Sequence, residues 1–302
     1  MKMKQLTISL LIFATALTSC IRDNLEPCRP LTLMLDIEDR NFSNVDDIEG
    51  MTPVDKDDPF ANLVPVVHAR LTDAATGETV EEFTATPDPD DPMCEVAFSD
   101  SLEYKKYVVT VWGGSKEAPE YGAGSSSTYT FPTEGIPADV FVARDTVVYE
   151  PCTSIHDMAL KRVSGMLLVH NDRLPQVISS SQINVSGIFS EVNSLLEYSG
   201  RTSCAFIFPF TIASSAGDTR SDRVATVQLP VAPSAAGTTS AVINSYFVGP
   251  SQVYTAPKVD VQIERNKITE LRYRWEGDQG TTVYQNVDGQ WKRISDLGTS
   301  EQ

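Results

Sequence analysis

A two-residue alternation of apolar and polar side chains is the feature that most limits what this chain can fold into. In residues 31–38, branched apolar side chains occupy every second position, and Met34 is the one apolar exception on the other face. Successive side chains of a strand point to opposite faces, so this segment is predicted to be a half-buried strand. Similar segments recur with Gly, Ser, Pro and Asn between them, which indicates an all-β sandwich architecture rather than alternating strands and helices.

Further segments extend this pattern through both halves of the chain. Residues 64–71 and 79–86 flank a turn that contains Gly77, which predicts a β-hairpin. The other predicted strands are residues 94–98, 104–112, 141–149, 181–189, 204–212, 223–231, 241–248, 258–264 and 267–275. Residues 155–167 stay open between two interpretations, because their apolar residues suit a helical stripe whereas Gly165 weakens a helix.

The first twenty residues have the pattern of a targeting signal. Lys2 and Lys4 are followed by an apolar run of eleven residues at 6–16, which is shorter than the roughly 20 residues of a membrane span. The run ends in Leu-Thr-Ser-Cys at 17–20, which resembles a bacterial lipobox. We therefore expect a lipoprotein signal peptide at 1–19, lipidation of Cys20 and a tether at 20–29, with an ordinary cleaved signal as the alternative. The acyl chains would hold the protein on the surface of the outer membrane.

The charge of the chain argues against a nucleic-acid partner. The sequence contains 41 acidic and 24 basic residues and has a net charge of −17 at pH 7. A protein that binds nucleic acid needs a basic face, and the basic residues here form only short runs such as 272–274. Acidic residues concentrate at 41–60 and 86–92, where they offer oxygen ligands without a known calcium-binding pattern. We therefore predict no metal site.

The sequence contains no catalytic motif. The three histidines, His68, His156 and His170, lack the spacing of a metal site. There is no Gly-x-Ser-x-Gly elbow, no phosphate-binding loop and no dinucleotide-binding glycine pattern. Catalytic triads assemble from distant residues, but nothing in this sequence points to one. We therefore expect a protein that is not an enzyme and has no cofactor.

The five cysteines divide into one lipid attachment site and four others. Once Cys20 is assigned to the lipid, Cys28, Cys94, Cys152 and Cys204 remain, and they form no Cys-x-x-Cys pair. Outside the cytoplasm these four residues are candidates for one or two disulfide bonds, with three connectivities. The alternative is that some of them are small buried apolar residues, which suits Cys204 in its apolar strand.

Several segments together resemble one family of surface proteins. The sequence Cys28-Arg29-Pro30 leads directly into the first alternating strand. A Val-Trp-Gly-Gly run follows at 111–114 and a Leu-Lys-Arg-Val run at 160–163. With the lipobox, these features resemble the FimB-type fimbrillin anchor lipoproteins of Bacteroidales.

The resemblance implies two tandem transthyretin-like β-sandwich domains, at 30–150 and 151–302, and a structural role at the base of a type V pilus. Stalk subunits of such pili lose their first strand to a protease that cuts after arginine or lysine. A neighbour's strand then fills the groove, which is β-strand addition. In this chain a cut after Arg29 or Arg40 would separate the body from its lipid. We therefore expect the first strand to stay in place and a fimbrial stalk subunit to be the partner.

The resemblance also leaves alternatives for the last segment and for the function. Residues 281–294 alternate weakly, so they are expected to serve as the donor strand for a stalk subunit, or else to form the final strand of the second domain. The alternative functions are a surface glycan-binding lipoprotein and a fimbrial tip or adhesin subunit. Aromatic residues that could bind a glycan are Trp112, Tyr121, Tyr129, Trp275 and Trp291.

Overall fold

The computed structural model describes residues 30–151, 154–175, 177–210, 225–235, 240–248, 252–277, 280–297 and 300–301. Within these ranges every regular element is a β-strand, apart from two short 3-10 turns at Val45–Asp47 and Phe60–Asn62. The expected signal peptide and tether lie outside the described residues. The prediction of an all-β fold is confirmed.

Seven strands form the first unit, a single sheet with the order β3-β2-β5-β8-β9-β1-β4. These strands are β1 (Thr32–Ile37), β2 (Val67–Asp73), β3 (Thr79–Ala85), β4 (Cys94–Ala97), β5 (Lys106–Gly113), β8 (Phe141–Val148) and β9 (Ile155–Arg162). The predicted hairpin around Gly77 is confirmed as β2 and β3. Strands β8 and β9 pair at only two positions. Side chains from the strands before and after this short pairing in the sheet order pack into one shared core.

Two larger sheets form the second unit. A five-stranded sheet has the order β15-β10-β19-β20-β21, and a second sheet has the order β14-β11-β16-β17-β22, with β18 paired to β16. The strands are β10 (Gly165–Asp172), β11 (Ile178–Ile188), β14 (Thr202–Pro209), β15 (Ala225–Val231), β16 (Ser240–Val248), β17 (Gln252–Thr255), β18 (Val259–Val261), β19 (Ile268–Trp275), β20 (Thr281–Val287), β21 (Gln290–Leu297) and β22 (Ser300–Glu301). Residues from both sheets meet in a second core.

A small sheet joins the two halves of the sequence. It contains β6 (Glu120–Tyr121), β7 (Ser127–Thr130), β12 (Glu191–Asn193) and β13 (Tyr198–Ser199). In this sheet β7 pairs with β12, which places a strand from before residue 150 beside one from after it. Trp112 and Val142 likewise pack into the second core. The two halves of the chain are therefore closely connected.

The segment that the sequence left open is extended. Residues 155–162 form β9, whose inward-facing Met158 and Leu160 pack in the first core. Residues 165–172 form β10, which lies in the second unit. The expected domain boundary between residues 150 and 151 stays a prediction. Strand β9 follows this boundary in the sequence, but its pairing with β1 places it in the first sheet.

Candidate functional site

The first strand of the described chain is buried inside its sheet. Strand β1 pairs with β9 in parallel over six residues and with β4 in antiparallel over four. Leu31, Leu33 and Leu35 are fully buried in the first core. Truncating one such leucine to alanine typically costs about 2–5 kcal/mol. The groove around β1 is thus occupied by the chain's own strand.

The basic residue that follows β1 is held inside the protein. Arg40 is 8% exposed, and its guanidinium donates to the carbonyl oxygens of Asp58 and Pro92. It also lies 3.3 Å from the Asp36 carboxylate. The Arg40 carbonyl accepts a hydrogen bond from Arg162. Both the side chain and the carbonyl of Arg40 therefore have partners within the fold.

A polar cluster ties the end of β1 to the second unit. We call Asp39, Asp139, Arg162, Arg265 and Asn266 the junction cluster. The Asp39 carboxylate accepts hydrogen bonds from the Arg265 guanidinium at 2.5 Å, the Asn266 amide at 2.9 Å and the Arg162 backbone N–H at 3.0 Å. Because Arg265 and Asn266 lie in the turn between β18 and β19, one carboxylate joins both units.

The Arg162 side chain is the buried cation of the junction cluster. It is 1% exposed, and its Nε lies 2.8 and 3.1 Å from the two Asp139 oxygens. It also donates to the Asn266 side-chain oxygen at 2.6 Å. Its guanidinium lies 3.9 Å from the centre of the Phe42 ring. Burial raises the pKa of the Asp139 carboxyl, and the charge of Arg162 opposes this shift.

The loop after β1 packs on the outer face of the five-stranded sheet. Phe42 and Ile48 contact Met166, Leu168 and Ile268 in a small apolar cluster. Asn44 in the same loop exchanges two hydrogen bonds with the backbone of Ile268, at 2.8 and 2.9 Å. The chain that leaves β1 is therefore fixed to the second unit by apolar and polar contacts.

Sequence analysis did not identify the junction cluster, although one signal was present. In β9 the side chains of Met158, Leu160 and Arg162 point to the same face because a strand alternates. An arginine on the apolar face of a strand needs a buried acidic partner. The identity of that partner, Asp139, depends on tertiary structure.

The cysteines that the structure describes are isolated thiols. Cys94 and Cys204 are both buried and free, and they lie in the first and second cores respectively. Burial raises the pKa of Cys94 to about 11 and that of Cys204 to about 12. The apolar alternative therefore holds for these two residues. Cys20, Cys28 and Cys152 lie outside the described residues.

The three histidines lie on different strands, β2, β9 and β10, and each has its own partner. His68 is buried and bonds to Thr84 at 3.0 Å. His156 lies 3.0 Å from Asp145 near the surface. His170 bonds to the buried Glu270 at 2.7 Å and to a threonine hydroxyl on the adjacent strand. The last arrangement links three neighbouring strands across the outer face of the five-stranded sheet.

The aromatic residues weighed for glycan binding do not gather on one surface. Trp112 is 2% exposed and donates to Ser127 within the fold. Trp275 packs against two tyrosines of the second core. Trp291 lies under the Arg272 guanidinium, which is 4.1 Å from the ring centre. Tyr129 contacts the Trp112 ring, and Tyr121 lies under Arg70 on the first unit. These five side chains therefore form no common platform.

The segment expected to act as a free donor strand is already paired. Residues 281–294 belong to β20 and β21, and β20 lies between β19 and β21 in the five-stranded sheet. Val283 is fully buried in the second core. Residues 281–294 are therefore not free in this structure, and they form a hairpin of the second unit, as the alternative of a final domain element predicts. The cause is a turn at Asp288 and Gly289 that makes the segment a hairpin. A donor role in a fibre stays a prediction.

The described part of the chain holds neither a metal-binding cluster nor a helix suited to span a membrane. No group of three or more His, Cys, Asp or Glu side chains there is arranged to hold a metal ion. The same residues include no helix with the length and hydrophobicity of a membrane span.

Known structures share this fold at low sequence identity. No protein-family model and no curated protein sequence matches the chain. A candidate adhesin from Bacteroides ovatus matches with a TM-score of 0.58 and 10% identity, over 91% of this chain and 97% of that one. A candidate polysaccharide-binding protein from Bacteroides thetaiotaomicron has a TM-score of 0.55 and 10% identity, over 88% and 98% of the two chains. A candidate adhesin from the same species has a TM-score of 0.53 and 10% identity, over 90% and 100%. At this identity the likeness shows the fold.

Proposed function

We propose that this protein is a non-enzymatic structural lipoprotein of a cell-surface fimbrium, in which acylated Cys20 anchors the base of the fibre to the outer membrane. The observation that carries the proposal is the complete, buried strand β1. Because β1 follows the proposed tether, tension on the lipid would pass into the body through the hydrogen bonds to β4 and β9. A subunit that lost this strand would lose its lipid as well.

The names of the structural neighbours support a role on the cell surface. Two of them are candidate adhesins and one is a candidate polysaccharide-binding protein, all from Bacteroides. The five aromatic residues considered for glycan binding form no common platform in the described part of the chain, so we favour the fimbrial role over glycan binding. The separate positions of the three histidines support the non-enzymatic interpretation.

The partner in this proposal is a fimbrial stalk subunit that adds a strand to an open edge. In the described residues of the five-stranded sheet, β21 is an outer strand that pairs only with β20. Its Lys292 and Ile294 side chains are exposed. An edge of this length offers a row of backbone groups for main-chain pairing. We therefore assign the stalk contact to β21 in place of a free donor strand.

A change of the lipidated residue tests the anchor. In cells that make the fimbrium, Cys20→Ala should abolish acylation and release the fibres into the medium. Ser19→Gly is the matched control. It replaces one small residue by another and so keeps the lipobox, and the fibres should stay on the cells. Fibres that remain attached in Cys20→Ala would contradict the proposal.

The N-terminus of the protein in purified fibres separates anchor from stalk. An acylated Cys20 supports the anchor. A chain that begins at Pro30 or Asn41 would mean proteolytic maturation, and therefore a stalk or tip subunit. Binding to polysaccharide without co-purification with fibres would favour the glycan-binding alternative.

A further inference from the structure

We propose that the second unit acts as a lock that keeps β1 in its groove and the Arg40–Asn41 peptide bond out of reach of arginine-specific proteases. This inference rests on the proposed function, in which the first strand stays in its groove. It adds which part of the molecule holds the strand there. The lock is the contact of Arg265 and Asn266 with Asp39, together with the packing of the loop after β1.

The bond that a protease would have to cut is shielded on its N-terminal side. A trypsin-like protease must place the arginine side chain in its own specificity pocket. Arg40 is 8% exposed and its guanidinium is bonded to two carbonyl oxygens. The carbonyl of the bond itself accepts from Arg162 at 3.3 Å. Cleavage therefore requires the segment to open first, as it does for other buried bonds.

The C-terminal side of the same bond is fixed as well. The Asn41 side chain exchanges two hydrogen bonds with the Val54 backbone, at 2.7 and 2.9 Å. Phe42 lies against the Arg162 guanidinium. The Ser43 N–H donates to the Asn266 carbonyl at 2.8 Å. Opening the bond thus also breaks contacts with the second unit.

Asp39 is where the second unit holds the end of β1. It lies two residues after the last residue of the strand and accepts from the side chains of both Arg265 and Asn266. Arg265 also donates to the Arg162 carbonyl at 2.9 Å, at the end of the neighbouring strand β9. The turn of the second unit therefore holds the ends of β1 and β9 together. Hydrogen bonds that involve charged groups are the stronger ones in proteins.

Limited digestion with trypsin tests the lock on the mature lipoprotein purified in detergent. The lock variant is Arg265→Ala with Asn266→Gly, since glycine keeps the positive φ of 52° at residue 266. Lys267→Ala in the same turn is the matched control, because its ammonium pairs with the exposed Glu264 and not with Asp39. The readout is the rate at which a new N-terminus at Asn41 appears by mass spectrometry. We expect this rate to rise about tenfold or more in the lock variant and to stay unchanged in the control.

The rate at a second buried site distinguishes local opening from general unfolding. Arg70 is also 8% exposed and lies in β2, away from the turn. A selective rise at Arg40 relative to Arg70 supports the lock. An equal rise at both sites, or no rise, overturns it. If the unaltered protein is cut after Arg40 as fast as after the exposed Lys56, the retained strand of the proposed function fails instead.

Discussion

Replacing Arg162 by methionine should destabilise the protein more than any other single change at the junction. Methionine keeps much of the length of the side chain and removes its charge and donors. The loss includes the paired contact to Asp139 and the bonds to Asn266 and the Arg40 carbonyl. The Asp139 carboxylate would then remain at the junction without its cation.

The size of the effect follows from this geometry. Breaking a buried ion pair by removing one partner costs about 3–5 kcal/mol. The Asp139 side chain is 24% exposed and keeps a hydrogen bond from the Ser164 hydroxyl, so the lower end applies. We expect a loss of about 3 kcal/mol in the free energy of unfolding. At about 2–4 °C per kcal/mol, Tm should fall by about 6–12 °C.

Urea and thermal unfolding, followed by circular dichroism, measure this change in a Cys20→Ala background that removes the lipid. Lys161→Met is the matched control, because its ammonium is exposed and pairs with Glu38 at 3.4 Å. Such surface pairs contribute about 0–1 kcal/mol. A double variant with Asp139→Leu should recover part of the loss, since it removes the unpaired carboxylate. A loss for Arg162→Met no larger than for Lys161→Met would refute the reasoning.

The remaining predictions concern single groups. Cys94 and Cys204 should resist iodoacetamide at pH 8 in the folded protein and react after unfolding in urea, because burial raises both thiol pKa values; alkylation of either in the native state would contradict this. Strands β1 and β9 begin opposite each other, so we expect one disulfide, between Cys28 and Cys152, and non-reducing peptide mapping that finds both as thiols would oppose it. Hydrogen bonds from a lysine ammonium and two backbone N–H groups lower the pKa of Asp73 from 3.8 to about 2. The contribution of this shift to stability is present above pH 3.8 and is lost as the pH falls towards 2. Asp73→Asn should therefore reduce the fall in Tm over this pH range. A fall in Tm equal to that of the unaltered protein would count against the prediction.

The local alternation of the sequence was sufficient to predict most strands. In β1 the side chains of Leu33, Leu35 and Ile37 are buried and Asp36 is exposed, because one face of the strand is covered and the other is not. All seven residues of β2 are buried, so the signal for the β2–β3 hairpin was the turn between the strands rather than alternation. Residues 155–167 were ambiguous because their apolar residues fit both a helical and an extended period. The structure resolves this through the pairing of β9 with β1, more than 100 residues earlier in the chain. The sequence around residues 155–167 alone therefore does not reveal that β1 is the partner strand.

The hairpin over residues 281–294 was not predicted from alternation for a related reason. Weak alternation over residues 281–294 is compatible with one long free strand and with two strands of a hairpin. The difference lies in the Asp288-Gly289 turn, where both residues have positive φ. The sequence Asp-Gly between two apolar segments is a strong hairpin signal. The Asp288-Gly289 pair therefore distinguishes the hairpin from one long strand at the level of the sequence.

The run from Leu160 to Val163, part of the family resemblance, has a physical explanation at the junction. Leu160 is fully buried in the first core and Val163 in the second. Between them, Lys161 faces solvent and Arg162 is neutralised by Asp139. A chain that passes from one apolar core to the next in three residues needs an apolar side chain at each end. It also needs a paired polar group between them, since an unpaired one would be costly to bury. The run therefore marks the connection between two cores, and the resemblance it carries concerns architecture rather than chemistry.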